Sequence, residues 1–246
     1  RVMLGVWNTL QLTVYSMVLG VVLGVVLAVM RLSPNPVLKS VSWVFLWIFR
    51  GTPVYVQLAF WGLIPVIYKN IQLGIPFGPT FFEFSLSDPN YFLLALLGLA
   101  LNEAAYMAEI IRAGISSVSE GQTEASTALG MSWGLTMRRT VLPQAMRVII
   151  PPTGNELISM LKTTSLVTAV PFSYDLYSIA MREIAAREFA PIPLALVAVT
   201  WYLVATSVLM VGQYYLERYY AKGASRKLTT KQLETLAKAQ TGGTAQ

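Results

Sequence analysis

Carboxylates within apolar stretches are the side chains of this sequence best suited to binding chemistry. Glu103 and Glu156 each lie in a stretch that is otherwise nearly uncharged. A carboxylate is costly in an apolar environment, so it usually faces a partner or a water-filled cavity. Glu109 has Arg112 three residues later, which is the spacing of an ion pair on one helix face. We therefore expect a structural role for Glu109 and examine the other two as candidate binding groups.

The sequence around Glu156 contains further polar groups. Pro151 and Pro152, followed by Gly154, predict a break or bend in the helix that contains Glu156. Broken helices are tolerated at membrane depth where they line a cavity, and there they commonly bind substrate. The candidate pathway residues, which offer both hydrogen-bond donors and acceptors, are Asn155, Glu156, Thr163, Thr164, Ser165 and Glu103. The alternative that they only pack one helix against its neighbour or a second subunit stays open.

The composition argues against catalysis in this chain. The sequence has no Cys and no His, so it lacks a thiolate nucleophile, the commonest general base and the commonest metal ligand. These absences weigh against a membrane enzyme, although carboxylate chemistry stays open.

The residues must be positioned by membrane helices. The chain of 246 residues is 55% hydrophobic and only 12% charged, and several runs approach the ~20 apolar residues that cross a bilayer. Five spans are predicted at about 4–30, 53–67, 91–114, 148–170 and 192–215, within a transmembrane domain of residues 1–220. Gly20 and Gly24 have the small-xxx-small spacing that lets a second helix approach the first span.

The segments between the spans differ in character. Residues 37–49, with Trp43 and Trp47, predict a helix at the membrane interface, and a buried elbow is the alternative. Thr52 and Pro53 predict an N-cap and first helical position for the second span. Residues 68–90 predict an exposed loop, residues 172–189 are too polar to cross lipid alone, and residues 221–246 form a polar tail.

The distribution of charge predicts an orientation. The net charge is +6, and the basic residues concentrate in the 31–50 and 112–147 segments and in the tail. Basic excess marks cytoplasmic segments, so we expect the N-terminus outside and the C-terminus in the cytoplasm. This explains the positive charge better than binding to nucleic acid does.

A polar helix-turn-helix is predicted at 115–147, between the third and fourth spans. Ser119 and Gln122 have capping-box spacing, and Gly130 lies where a helix ends in the left-handed conformation. Ser132 can cap a second short helix, which Pro143 would interrupt. A compact polar helix between membrane spans indicates a surface on which a protein outside the membrane docks.

The stretch EASTALGMSWGLTMRRTVLP, residues 124–143, resembles the EAA loop of bacterial ABC importer permeases. That loop has Glu-Ala-Ala, three residues, Gly, nine residues and then hydrophobic-x-Leu-Pro; here Ser126 replaces the second Ala and Thr140 the hydrophobic residue. Four further motifs resemble the polar amino-acid uptake branch of these permeases, which usually has Asp where this chain has Thr163. They are FRGTP at 49–53, AEIIRAG at 108–114, LPQA at 142–145, and GNE at 154–156 with KTTSL at 162–166.

The resemblance implies an all-α membrane protein with the five transmembrane helices of the type I ABC importer permease fold and a cytoplasmic EAA coupling helix. It also implies that this chain is not an enzyme and holds no cofactor, because ATP and Mg bind to a partner ABC ATPase dimer. The residues it implies for ATPase coupling are Glu124, Ala125, Ser126, Leu129, Gly130, Leu142 and Pro143.

The implied function is ATP-driven import of a polar amino acid across the bacterial plasma membrane. The implied partners are a second permease subunit, identical or homologous, and an extracytoplasmic amino-acid-binding protein. The candidate pathway would then accept the ammonium group of the amino acid and donate to its carboxylate. An ATPase-independent secondary transporter or a channel is the alternative, but it gives no reason for the EAA-like loop.

Overall fold

A computed structural model describes residues 1–75, 78–85, 90–184, 189 and 191–220, which are mostly helical. The predicted tail at 221–246 lies outside the described residues. The α-helices are α1 (Val2–Leu32), α2 (Pro36–Gly51), α3 (Val54–Ile67), α4 (Tyr91–Ser116), α5 (Glu120–Ala128), α6 (Trp133–Thr136), α7 (Leu142–Thr163) and α8 (Pro191–Tyr220). A π-helical segment, Met137–Val141, joins α6 to α7, a 3-10 segment, Thr164–Ala169, follows α7, and a second π-helical segment covers Ser178–Ile184.

Helices α1 and α4 form the centre of the bundle. They pack closely because α1 presents glycines: a Cβ added to Gly20 would lie 2.6 Å from Cγ of Glu103, and one added to Gly24 would lie 2.7 Å from Cβ of Met107. The predicted close approach at Gly20 and Gly24 is therefore confirmed. The two helices are parallel, because Gly20 lies against Glu103, and Gly24, four residues later, lies against Met107, four residues after Glu103.

After α1, the chain packs along α4 again, this time as two separate helices, α2 and α3. Leu46 of α2 packs with Ala104, Ala105 and Ala108 of α4, whereas Leu58 of α3 packs beside Gly98, nearer the start of α4. Helix α3 alone has 14 residues, or about 21 Å, which is shorter than the ~30 Å hydrocarbon core of a bilayer. A crossing at this place would need α2 as well as α3, and α2 buries only Ser42 and Leu46, so the interfacial helix and the buried elbow both stay predictions for residues 37–49.

Two local expectations need correction. The predicted loop at 68–90 contains an antiparallel hairpin, β1 (Asn70–Gly74) and β2 (Thr80–Ser85), with Asn70 opposite Ser85 and Leu73 opposite Phe82. Thr80, Phe81 and Phe82 have high β-propensity, which outweighed the Gly and Pro residues of the turn. Helix α3 begins at Val54 with Pro53 in the cap position, one residue later than predicted.

Of the two alternatives predicted around Pro151 and Pro152, the helix break is wrong, and the bend stays a prediction. Helix α7 is continuous from Leu142 to Thr163 with both prolines inside it. It packs between α4 and α8, and the Gln213 side chain of α8 donates to the Pro151 carbonyl oxygen at 3.4 Å. Proline is tolerated within a membrane helix that neighbouring helices pack against.

Among the described residues, α1, α4 and α8 are long and apolar enough to cross a membrane. Helix α7 adds a buried, more polar helix against α4, and α2 with α3 add the broken one, so the predicted count of five spans is consistent with the fold. Within α8 only Ala198 is buried, which leaves most of this apolar helix available to lipid or to another subunit.

Candidate functional site: a cavity at a broken helix and a polar surface at the end of α4

Side-chain hydrogen bonds stabilise the interruption between α2 and α3. Gln57 Nε2 donates to the carbonyl oxygens of Phe49, at 2.9 Å, and of Thr52, at 3.0 Å. Asn102 Nδ2 of α4 donates to the same Phe49 oxygen at 3.1 Å and to Gln57 Oε1 at 3.0 Å. These bonds satisfy carbonyl groups that the interrupted helix leaves without an internal partner. The broken helix expected in α7 thus exists between α2 and α3 instead.

A cavity of about 530 Å³ opens beside this break. It contains Glu103, Glu156 and Thr163, three of the candidate pathway residues, which come from α4 and α7. The remaining lining residues come from the break, from α4 and from α7: Arg50, Gly51, Thr52, Pro53, Val54, Asn102, Tyr106, Ser159 and Met160. A broken helix that lines a polar cavity at membrane depth is a common form of substrate site in transporters.

The charges of this cavity suit a molecule with groups of both signs. Glu103 is only 3% exposed, and Gly20 of α1 provides the space for its side chain. Glu156 is half-buried and faces the same cavity. Arg50 lies 5.6 Å from the centre of the Tyr106 ring, at the end of α2. The cavity therefore presents two carboxylates and one guanidinium group.

Sequence reasoning missed Arg50 as a cavity residue. Its position beside Trp47 and the basic Lys39 suggested a membrane-flanking charge, whereas the packing of α2 against α4 brings this exposed side chain to the cavity that Glu103 and Glu156 line. The signal in the sequence was Gly51-Thr52-Pro53 directly after Arg50, since these residue types end one helix and begin another.

The other candidate pathway residues lie elsewhere. Asn155 Oδ1 accepts from Gln213 Nε2 at 3.0 Å and lines a separate cavity of about 510 Å³ between α7 and α8. Thr164 is buried, and its hydroxyl donates to the Leu161 carbonyl oxygen. Ser165 donates to the Lys162 carbonyl oxygen at 2.7 Å. Neither Thr164 nor Ser165 lines the cavity beside the break.

The polar surface after α4 contains the residues implied in ATPase coupling. Gly130 has φ +76°, so its predicted left-handed conformation is confirmed. Leu129 is 82% exposed and Trp133 is 77% exposed, on either side of that turn. Large exposed apolar side chains at neighbouring positions are typical of a protein-docking surface. Leu129 was expected there, and Trp133 was missed because a single Trp has no spacing signal.

Three details of this surface differ from expectation. Ser119 and Ser132 occupy the N-cap positions of α5 and α6, but neither side chain makes a capping hydrogen bond. Pro143 does not interrupt a helix; it lies in the first turn of α7, directly after the π-helical segment. The wider π-helical turn accommodates a ring that would clash with the carbonyl group four residues earlier in a regular helix.

Two further polar contacts lie outside the cavity. Glu109 and Arg112 form the predicted ion pair, with Arg112 Nε donating to Glu109 Oε2 at 3.1 Å. Asp175, fully buried before the second π-helical segment, accepts from the Ser178 N–H at 3.1 Å. Burial raises the pKa of the Asp175 carboxyl group, and hydrogen bonds from Ser178 offset part of that rise. The neighbouring Leu176 N–H donates to Thr9 Oγ1 at 3.0 Å, which attaches this turn to α1.

Comparison with known proteins agrees with this geometry. Residues 20–222 match the family described as binding-protein-dependent transport system inner membrane component. The chain is 61% identical to the arginine transport system permease protein ArgU of Corynebacterium glutamicum, over 98% of this chain and 74% of that protein. It is 38% identical to the histidine/lysine/arginine/ornithine transport system permease protein HisM of Escherichia coli K12, over 84% of this chain and 83% of that protein.

Solved structures agree on the fold. A crystal structure of an amino acid ABC transporter with histidines superposes with a TM-score of 0.73 at 32% identity, covering 89% of this chain and 93% of that one. An inward-facing structure of the MetNI methionine ABC transporter superposes with a TM-score of 0.67 at 18% identity, covering 88% and 94%, which supports the fold alone. The chain is thus a multi-pass membrane protein with the type I ABC importer permease fold, and it belongs to the binding-protein-dependent transport system inner membrane components, as a permease subunit of the amino-acid ABC importer kind.

Proposed function

We propose that this chain forms the membrane pathway of an ATP-driven importer for a cationic amino acid such as arginine. The observation on which the proposal depends is the cavity beside the broken helix, which contains Glu103 and Glu156. An amino acid with a cationic side chain has two positive groups and one negative group. The reachable carboxylate of Glu156 and the guanidinium group of Arg50 offer one partner for a cationic group and one for the carboxylate of such a substrate.

Glu156 is the group that we assign to the substrate's cationic side chain. It is half-buried, so solvent and substrate can reach it, whereas Glu103 lies against α1 and is nearly inaccessible. Arg50 is positioned to donate to the substrate carboxylate, and a guanidinium group does so in a bidentate geometry. The names of the relatives that transport arginine, and histidine, lysine, arginine and ornithine, support this substrate class.

Energy would come from outside this chain. An ABC ATPase dimer would dock on the exposed surface around Leu129, Gly130 and Trp133, bind ATP and Mg, and hydrolyse the nucleotide. A second permease subunit, identical or homologous, would complete the pathway, and an extracytoplasmic binding protein would deliver the amino acid. The channel, the ATPase-independent transporter and the intramembrane enzyme have no support in the comparisons.

The test uses arginine and citrulline, which have nearly the same shape but differ in side-chain charge. The full complex in lipid vesicles should import arginine in an ATP-dependent manner and prefer it to citrulline. Glu156→Gln keeps the side-chain volume but removes the charge. It should reduce the preference for arginine by about tenfold or more, because a hydrogen bond to a charged group contributes roughly 1.5–3 kcal/mol.

Glu217→Gln is the matched control, since Glu217 is also a half-buried carboxylate but lines the other cavity. It should leave the preference unchanged. Absence of arginine uptake by the unaltered complex would refute the substrate class. Equal preference in the Glu156→Gln complex and the unaltered complex would refute the assignment of Glu156.

A further inference from the structure

The two positions at which this loop departs from the EAA pattern contact each other. Ser126 on α5 is 5% exposed, and its Oγ lies 2.9 Å from Oγ1 of Thr140 in the π-helical segment. Ser126 Oγ also donates to the Gln122 carbonyl oxygen at 2.8 Å. A serine hydroxyl has one proton, and that proton is used by Gln122. Thr140 must therefore be the donor in the contact with Ser126.

A second connection lies next to the first. Gln144 Nε2, in the first turns of α7, donates to the Thr140 carbonyl oxygen at 2.9 Å and to Gln122 Oε1 at 3.3 Å. Two bonds between side chains, Thr140 to Ser126 and Gln144 to Gln122, thus join α5 to the segments that begin α7, and the other two bonds end on the carbonyl oxygens of Gln122 and Thr140. We call Gln122, Ser126, Thr140 and Gln144 the polar clamp.

Apolar packing alone does not account for the position of α5. Ser126 is the one buried residue of this helix, so α5 has no hydrophobic face pressed on the bundle. Within the clamp, the bond between Ser126 and Thr140 joins α5 to the π-helical segment, and the bond from Gln144 to Gln122 joins α5 to α7. Helix α7 is then continuous through Glu156, so a displacement at its beginning reaches the cavity.

We propose that the polar clamp makes α5 and α7 move as one rigid body, so that a movement of the docked ATPase is transmitted to the cavity. Ser126 and Thr140 are positioning residues in this proposal, since neither touches the substrate cavity. The proposal rests on the proposed docking of an ATPase at this surface. It adds which contact transmits the motion, and it assigns a role to the two departures from the EAA pattern.

A disulfide provides the sharpest test, because the chain has no cysteine of its own. In Ser126→Cys/Thr140→Cys, oxidation should protect both thiols from maleimide labelling. If α5 and α7 move together, the oxidised complex should retain its uptake per ATP hydrolysed. Loss of uptake that a reductant restores would show that the two helices move relative to each other and would overturn the proposal. Failure of the pair to oxidise would show that the side chains are not adjacent, with the same consequence.

Truncation provides the second test. Ser126→Ala and Thr140→Val should each lower uptake per ATP hydrolysed by about fivefold, the effect of one lost hydrogen bond. The double variant should lose little more than Ser126→Ala alone, because both substitutions remove the bond between Ser126 and Thr140. ATPase co-purification should remain at the level of the unaltered complex.

Thr153→Val is the matched control on α7, because the Thr153 hydroxyl bonds only the Ile149 carbonyl oxygen of its own helix, at 2.8 Å. It should leave the ratio of uptake to hydrolysis unchanged. Additive losses in the double variant would refute the polar clamp but not the proposed function. Normal ratios of uptake to hydrolysis in both single variants would do the same. An unaltered complex without ATP-dependent uptake would instead refute the proposed function.

Discussion

Single residues with special backbone or side-chain requirements determine the geometry of the docking surface. Gly130 adopts φ +76°, and a Cβ added there would meet no atom within 4 Å. The requirement for glycine is therefore conformational rather than steric. For other residues the left-handed conformation costs roughly 1–2 kcal/mol, and Asn tolerates it better than β-branched residues do.

This distinction predicts different effects for two substitutions at Gly130. Gly130→Val should weaken co-purification of the ATPase and lower binding-protein-stimulated hydrolysis in vesicles, because a β-branched residue shifts the turn between Leu129 and Trp133. Gly130→Asn should be milder, although its side chain is of similar size. Equal effects of the two variants would mean that bulk at the interface, and not the backbone conformation, is what matters.

At the scale of elements, the interrupted pair α2 and α3 depends on two amide side chains. Gln57 and Asn102 together satisfy the carbonyl groups of Phe49 and Thr52. An unsatisfied carbonyl group is expensive inside a membrane protein, where water does not replace the lost partner. The break is consequently a stable feature of the fold, and the cavity beside it is preformed.

We predict that Gln57→Leu destabilises the protein. The substitution keeps the side-chain volume but removes the donors, and a buried group left without its partner costs about 1–3 kcal/mol. The midpoint of thermal unfolding in detergent should fall, and uptake should fall with it. Gln11→Leu on α1 is the control, since Gln11 makes no side-chain hydrogen bond to other described residues. A midpoint unchanged by Gln57→Leu would show that other groups hold the break.

At the scale of the whole molecule, α4 is long and apolar enough to cross a membrane, so we expect the β-hairpin before it and the polar clamp after it to lie on opposite faces. The hairpin precedes α4, and the coupling surface, which is the exposed surface around Leu129, Gly130 and Trp133, follows it. The excess of Lys and Arg after α4 predicts that the coupling surface faces the cytoplasm. An intracellular ATPase could then reach it, and a binding protein could reach the hairpin side.

Cysteine labelling tests this orientation. In intact cells, an impermeant maleimide should label Thr80→Cys in the hairpin but not Leu135→Cys in the coupling surface, and both residues are exposed. Labelling of both positions after permeabilisation is the control for reactivity. Labelling of position 135 but not position 80 in intact cells would reverse the predicted topology.

Several features followed from the sequence alone because their causes are local. Apolar runs with few charges require a bilayer, Glu109 and Arg112 are neighbours on one helix turn, and a glycine at the end of a short polar helix predicts a left-handed turn. The EAA-like spacing also predicts the coupling surface, since its residues are close in sequence, and that role stays a prediction.

The tertiary structure decided which helix is broken and which side chains meet. Pro151 and Pro152 predicted a break in α7, but packing between α4 and α8 keeps that helix continuous, whereas Gln57 and Asn102 stabilise a break between α2 and α3. Separate elements must pack together before Glu103 and Glu156 can line one cavity. The same holds for the hydrogen bond between Ser126 and Thr140. Local sequence preferences do not contain that information, because the free energy of such contacts depends on partners that are distant in the chain.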